Sequence, residues 1–172
     1  IPASDVSEQI STAGYEASGT GNMKFMMNGA LTIGTRDGAT IEMAEEAGEE
    51  NFFLFGLTAQ QVIDSRGWYD PYWHYANDPE TRAALDLLAA DHFSRNEPGI
   101  FAPILDTLLA QGDYYMHLAD LSSYANAQAR LGELYQDPDA WASKAIINVA
   151  RSGKFSSDRT IAQYADEVWN AK

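Results

Sequence analysis

Hydrophobic and polar positions follow two different patterns along the chain, and the pattern changes near residue 56. Short apolar runs at 30–35 and 51–56 are typical of buried strands. Segments 22–28 and 39–48 have helix-forming compositions, and a glycine follows the first segment and ends the second. Helix, strand, helix and strand in close succession predict a parallel sheet covered by helices.

Beyond residue 56 the periodicity becomes helical. Two segments begin with Asp-Pro, which places an N-cap aspartate, Asp78 or Asp137, before a proline at the first helical position. Leu85 and Leu88 lie on one face of the first of these helices. Helices are predicted at 78–93, 120–136 and 137–153, and from a cap at Ser157 or Asp158 through Trp169. The second half is therefore predicted to be mainly α-helical.

The segment from Ser4 to Thr20 is polar, rich in small residues and mostly without helical or strand periodicity. This composition predicts a long functional loop. Residues 1–5 are predicted to end a buried strand that leads into the loop, so we expect the chain to be part of a longer protein. Without repeats or a clear linker, 1–172 is expected to form a single unit, with an α/β part at 1–56 and a mainly helical part at 57–172.

Composition and charge narrow the classes of function. The formal net charge of -14 argues against binding to nucleic acid. The absence of cysteine excludes a disulfide framework, a thiolate metal site and a cysteine nucleophile, and fits a cytoplasmic protein. No apolar run approaches the roughly 20 residues needed to cross a bilayer, so no membrane partner is expected. His74, His92 and His117 form no recognised ligand motif, so no metal is expected.

A possible phosphate site precedes the first predicted helix. Gly19, Thr20 and Gly21 stand just before the helix that carries Lys24. Glycines let the backbone approach a ligand, and the first N–H groups of a helix attract phosphate. A lysine among Met23, Phe25, Met26 and Met27 is expected to lie in a mostly buried helix and therefore to need a partner. Its amine either pairs with a phosphate or forms an imine with an aldehyde, and pyridoxal phosphate offers both groups. The plainer alternative is a turn followed by a solvated lysine.

Two other clusters have ordinary structural interpretations. The glutamates of segment 42–50 recur at helical spacing and are predicted to form a solvated face rather than a carboxylate pair for hydrolysis. The aromatic stretch 67–75 is predicted to pack a helix junction, with a platform for sugar rings as the alternative. Neither cluster is taken as a site.

Segment 7–56, which begins SEQISTAGYEASGTGNMKFMMNGALTIGT, resembles the α-glucan phosphorylases that act on glycogen, starch and maltodextrin. The resemblance resumes in SGKFSSDRTIAQYADEVW at 152–169, so it covers almost the whole chain. It implies an α/β fold: a partial Rossmann-like sheet from the carboxy-terminal lobe of a GT-B type glycosyltransferase, with short parallel strands early and mainly helices afterwards. Tyr15 departs from the family, which carries a smaller residue there.

The resemblance also implies roles for particular residues. Lys24 would form the Schiff base with pyridoxal 5'-phosphate, and Gly19, Thr20 and Gly21 would contact the cofactor phosphate. The glucosyl unit would be bound by Glu16, Ala17, Ser18 and Gly19. No catalytic side chain beyond the cofactor anchor is implied.

The implied activity belongs to a longer parent enzyme. That enzyme would phosphorolyse terminal α-1,4-glucosidic bonds with inorganic phosphate and release glucose 1-phosphate with retention. It would be a homodimer. Its remaining part would include the amino-terminal lobe, much of the sheet of the second lobe, and the basic residues that hold substrate phosphate, so the chain alone is expected to be inactive. Two alternatives stay open: an enzyme with a nucleotide- or phosphate-binding loop, and a non-catalytic helical module that binds glucan or a partner chain.

Overall fold

The computed structural model describes residues 1–16 and 19–171, and its sheet is parallel. In these residues the strands are β1 (Val6–Gln9), β2 (Leu31–Thr35) and β3 (Phe53–Phe55), in the order β1-β2-β3. Val6 lies opposite Leu31, and Ile33 lies opposite Phe53. The predicted parallel sheet is confirmed.

Two predictions about the start of the chain are wrong. Strand β1 lies within the segment predicted to be a loop. Its four residues show no strand pattern of their own, and they form a strand by pairing with β2. Residues 1–5 do not end a buried strand. The Ser4 N–H donates to the Ile1 carbonyl in a turn at 3.1 Å, and the Ile1 side chain is exposed.

Helices α1 (Thr20–Met27) and α2 (Gly38–Ala47) confirm the first two predicted helices, within two residues at each boundary. Gly29 and Gly48 follow them with φ of 86° and 94°, which glycine adopts without strain. A 3₁₀ turn at Glu49–Asn51 shortens the strand predicted at 51–56.

Helices account for most of the rest of the chain. They are α3 (Ala59–Ser65), α4 (Pro71–Asn77), α5 (Pro79–Ala89), α6 (Ala102–Leu105), α7 (His117–Leu134), α8 (Pro138–Arg151) and α9 (Ser157–Gln163), with π-helical turns at Asp106–Ala110 and Tyr164–Val168 and a 3₁₀ turn at Ser152–Phe155. Asp78 and Asp137 cap α5 and α8 as predicted. The cap of α9 is Ser156, which accepts the Arg159 N–H, so the predicted caps Ser157 and Asp158 are wrong.

Helices cover both faces of the sheet, so β2 is buried along its whole length. One apolar cluster joins Leu31 and Ile33 to Ala127 and Leu131 of α7. A second cluster lies between α1 and α2 and is built from Met26, Ala39, Met43, Ala44, Ala47 and Phe52. A third joins Ala13 to Val62 and Met116 and so attaches the segment after β1 to the helical part. The predicted α/β class is confirmed.

Candidate functional site

The predicted site lies at the carboxyl edge of the sheet. The segment after β1 and the turn after β2 leave the sheet at this edge, where open α/β sheets commonly bind ligands. The Thr35 hydroxyl, at the end of β2, donates to the Ser11 carbonyl at 2.7 Å. The end of β2 therefore holds the start of the site segment.

The carboxylate of Glu16 has a hydrogen-bond partner on each oxygen. Oε2 accepts the Ser11 hydroxyl at 2.6 Å, and Oε1 accepts the Gly19 N–H at 3.0 Å. The side chain is half-buried. These two bonds fix the carboxylate beside the first residue of the cofactor turn predicted from the sequence.

Asp37 joins the site segment to helix α2. Its Oδ1 accepts the Gly38 N–H at 2.9 Å and so caps α2. Its Oδ2 accepts the N–H groups of Tyr15 at 3.0 Å and Glu16 at 2.7 Å. One carboxylate therefore holds the start of a helix and the backbone of the segment that carries Glu16.

The first turn of α1 offers free backbone donors. Gly19 is the N-cap residue with φ of 60°, and among the described residues no side chain caps this helix. A Cβ on Gly19 would be strained at this φ, and it would lie 3.1 Å from the Asn22 amide and 3.2 Å from Ala39, so both neighbours would have to shift slightly. Among the residues that the structure describes, a Cβ on Gly21 would meet nothing within 4 Å. Together these features leave the helix start open to an anion.

Lys24 is exposed, so the prediction that it lies in a mostly buried helix is wrong. The cause is the amphipathic character of α1. Met26 is fully buried, whereas Met27 is half exposed. Lys24 follows Thr20 and Gly21 by four and three residues, and helical side chains tilt towards the N-terminus, so its amine can reach the first turn.

An exposed cluster of three tyrosines and one arginine lies at the edge of the site. The Arg66 guanidinium lies 5.3 Å from the Tyr15 ring centre and 4.5 Å from that of Tyr114. It donates to the Tyr15 hydroxyl and to the Tyr114 carbonyl. Tyr115 packs edge-on against Tyr15 with ring centres 5.5 Å apart. Tyr15 is thus held by the helical part of the chain.

The acidic segment is mainly a solvated face, as predicted. Glu42, Glu45, Glu49 and Glu50 are exposed. Glu46 is half-buried and pairs with Lys154 at 3.0 Å. Across residues 1–16 and 19–171, no group of three or more His, Asp or Glu side chains could hold a metal ion. Over the same residues, no helix is long and apolar enough to span a membrane.

The aromatic stretch 67–75 packs at a helix junction only in part. Tyr69 packs at a helix junction as expected, but Trp68 and Trp73 are 74% and 60% exposed, so the prediction is wrong for them. Both indoles line an open, mainly apolar cavity with Tyr69 and His74. Burial lowers the pKa of His74, and the nearby carboxylates of Asp113, Asp78 and Asp70 act in the opposite direction.

Four of the seven predicted site residues, Glu16, Gly19, Thr20 and Gly21, lie together at the sheet edge. Lys24 lies one helical turn after Thr20 in α1, and Ala17 and Ser18 lie outside the described residues. Sequence reasoning missed Asp37, although an aspartate between a strand and a helix is an N-cap signal. It also missed Arg66 and Tyr114, for which no local signal exists, because they lie 51 and 99 residues after Tyr15.

Comparisons with known proteins agree with the resemblance seen in the sequence. A family model described as carbohydrate phosphorylase matches residues 1–171. Glycogen phosphorylase of Synechocystis sp. (strain ATCC 27184 / PCC 6803 / Kazusa) is 55% identical over 172 residues, which cover 99% of this chain and 20% of the relative. Muscle-form glycogen phosphorylases of Mus musculus and Oryctolagus cuniculus are 53% identical over 174 residues, covering 100% of this chain and 20% of each relative. The chain therefore spans about a fifth of the length of these relatives.

Proposed function

The chain belongs to the carbohydrate phosphorylase family, and from this premise we propose that it is the carboxy-terminal part of the cofactor-binding lobe of an α-glucan phosphorylase. The whole enzyme would release glucose 1-phosphate, with retention, from an α-1,4-glucan and inorganic phosphate. The observation that carries the proposal is the hydrogen bond from the Gly19 N–H to Glu16 at the carboxyl edge of the parallel sheet, at the start of the helix that carries Lys24. A cytoplasmic location and a homodimeric parent are parts of the same proposal.

Lys24 is proposed as the residue that holds pyridoxal phosphate through its amine. The fit is supported by three features of the described residues: the first turn of α1 has no side-chain cap, the space above Gly21 is open, and Lys24, three residues later, is exposed. Backbone N–H groups of Thr20 and Gly21 would bind the cofactor phosphate, and Lys24 would hold the ring at a fixed distance from it. The chemistry that pyridoxal phosphate supplies when bound is a phosphate group that exchanges a proton with substrate phosphate.

Glu16 is proposed as the main glucosyl contact in this part of the enzyme. An ionised carboxylate has about four lone-pair positions, and two of them are used by Ser11 and Gly19, so acceptor capacity remains for sugar hydroxyls. Ala17, Ser18 and Gly19 are proposed as further contacts by resemblance to the family. Hydrogen bonds from short polar groups and backbone amides suit a sugar, whose hydroxyls both donate and accept.

Labelling of Lys24 tests the proposal. The purified chain is incubated with pyridoxal phosphate and reduced with borohydride, and the modified lysine is identified by peptide mass spectrometry. We expect the label on Lys24. Lys144→Ala is the matched control, because Lys144, in α8, donates to the Glu50 carbonyl and should not affect labelling. Equal labelling of Lys24, Lys144 and Lys154, or none at Lys24, would contradict the proposal.

The same experiment separates the nucleotide-binding alternative. A protein that uses Lys24 only as a phosphate ligand would bind a nucleotide but would leave no reduced adduct with pyridoxal phosphate. We also expect that the chain by itself releases no glucose 1-phosphate from glucan, since the basic residues for substrate phosphate are proposed to lie in the rest of the enzyme. Release that depends on Lys24 would overturn this expectation.

One observation favours a second, non-catalytic function. Trp68 and Trp73 are largely exposed and line one open cavity, and exposed indoles can stack on sugar rings. A glucan-binding module built on them would bind maltodextrin without a cofactor. Binding that survives Lys24→Ala and is lost in Trp68→Ala would support this function, whereas no binding, or equal binding by Trp68→Ala, would exclude it.

A further inference from the structure

We propose that Asp37 is a positioning residue that holds Glu16. The Glu16 carboxylate then joins the sugar half of the site segment, proposed to bind glucose, to the cofactor half that begins at Gly19. The inference rests on the proposed roles of Glu16 and Gly19 as ligand contacts. It is carried by a chain of contacts that runs from Asp37 to the backbone of Glu16, and from the Glu16 side chain to Gly19.

The first step is a backbone clamp. Asp37 Oδ2 accepts two successive N–H groups, those of Tyr15 and Glu16. Hydrogen bonds to an ionised acceptor are roughly twice as strong as neutral ones. Two such bonds to one oxygen fix the peptide planes on either side of Tyr15, and therefore the direction in which the Glu16 side chain leaves the backbone.

The second step is a steric support. Gly38 has φ of 48°, and a Cβ built on it would lie 3.0 Å from Glu16 Cγ and 3.4 Å from Glu16 Cβ. The Glu16 side chain therefore lies directly against the first residue of α2. Asp37 holds the backbone of Glu16 from one side, and the bare backbone of Gly38 leaves room for its side chain.

The third step reaches the cofactor half. Glu16 Oε1 accepts the N–H of Gly19, the left-handed residue that starts α1. The acid proposed to bind sugar thus also fixes the turn proposed to bind the cofactor phosphate. A substitution of Asp37 should therefore weaken the hydrogen bond of the Gly19 N–H, although Gly19 stands 18 residues earlier in the sequence.

Asp37→Ser separates positioning from helix capping. Serine still caps a helix well, but its hydroxyl is too short to reach the N–H groups of Tyr15 and Glu16 as well. Asp70→Ser is the matched control, since Asp70 caps α4 by accepting the Tyr72 N–H at 2.9 Å. Asp37→Asn keeps one carbonyl oxygen at the same reach and is the conservative variant.

Amide hydrogen exchange, followed by NMR on the whole 172-residue chain, is the primary measurement. In Asp37→Ser we expect the amides of Tyr15, Glu16 and Gly19 to exchange about tenfold faster, while those in the interior of α2 stay protected. Asp37→Asn should lie between this variant and the wild type, and Asp70→Ser should leave the three amides unchanged. Unchanged exchange at Gly19 in both Asp37 variants would overturn the proposal.

Cofactor labelling is the second measurement. At subsaturating pyridoxal phosphate, Asp37→Ser should label Lys24 several-fold less than Asp70→Ser does. Equal labelling of the two variants would overturn the link to the cofactor half. If the wild type takes no label on Lys24, the proposed function fails, and the exchange rates at Gly19 still decide whether Asp37 positions Glu16.

Discussion

The Tyr69 hydroxyl donates a hydrogen bond of 2.7 Å to Asp113 Oδ2, and the same oxygen accepts the Leu118 N–H at 2.8 Å. Asp113 is 1% exposed, and its Oδ1 has no hydrogen-bond partner in the described part of the chain. The bond therefore ties the residues before α4 to the start of α7 through a buried carboxylate that already lacks one partner.

Tyr69→Phe is expected to destabilise the chain by about 1–3 kcal/mol, because it removes the side-chain donor from a buried acceptor. The free energy of unfolding is measured in urea. Tyr135→Phe, at a position that is 56% exposed, is the control and should change it by less than about 0.5 kcal/mol. A cost for Tyr69→Phe no larger than that of the control would contradict the role assigned to the bond.

Stability is also expected to fall at high pH because of Tyr69. Burial raises the pKa of Tyr69 above its usual value, and the hydrogen bond with Asp113 and the charge of Asp113 add to the rise. A raised pKa in the folded state gives a stability contribution that is complete below about pH 10, the unfolded value, and is lost as the pH rises beyond it. Urea unfolding of the wild type and Tyr69→Phe between pH 9 and 11 should show a steeper loss in the wild type, and parallel curves would contradict this.

Gly56→Ala should be more costly than an ordinary loop substitution. Gly56 has φ of 80°, and an added Cβ would lie 2.9 Å from the Asp120 carboxylate, whose Oδ1 accepts the Leu57 N–H. Gly99 also has φ of 80°, but its Cβ would meet none of the described residues within 4 Å, so Gly99→Ala measures the backbone strain alone. We expect Gly56→Ala to lower the free energy of unfolding by at least about 1 kcal/mol more than Gly99→Ala. Equal losses of stability in the two variants would contradict this prediction and would show that the Asp120 side chain moves aside without a measurable cost.

Truncation of the two neighbouring methionines of α1 should have very different costs in stability. Met26 is 0% exposed and Met27 is 50% exposed. Met26→Ala should cost about 2–5 kcal/mol through lost burial and a cavity between α1 and α2. Met27→Ala should cost less than about 0.5 kcal/mol in the same thermal or urea measurement. The opposite order would mean that α1 is rotated about its axis, and that Lys24 does not face solvent.

Local chemistry explains which parts of the fold could be predicted. The caps at Asp78 and Asp137 and the glycines after α1 and α2 are local signals, so the corresponding helix ends were predicted within about two residues. Strand β1 was missed because its residues have no strand pattern of their own, and its structure depends on pairing with β2. The short helices α3, α4 and α6 were missed because they have only 7, 7 and 4 residues, which is too few to show a helical period.

In the candidate site, too, local features could be predicted and long-range contacts could not. The glycines and Lys24 could be found from their spacing, because the N–H groups of a helix start are a local property. The exposure of Lys24 could not be predicted, since it depends on which face of α1 packs against α2. Asp37 lies 21 residues after Glu16, and only the meeting of two strand ends at one sheet edge brings them together.

The cluster of Arg66, Tyr15, Tyr114 and Tyr115 links the helical part of the chain to the surroundings of Glu16. Arg66, Tyr114 and Tyr115 lie far from Tyr15 in the sequence, yet they hold the side chain of this residue next to Glu16. A substitution at position 66 or 114 would therefore change the surroundings of Glu16 without altering any residue of the site segment. Under the proposed sugar-binding role of Glu16, two chains with the same site segment can then differ in their preference for glucan because of such distant substitutions.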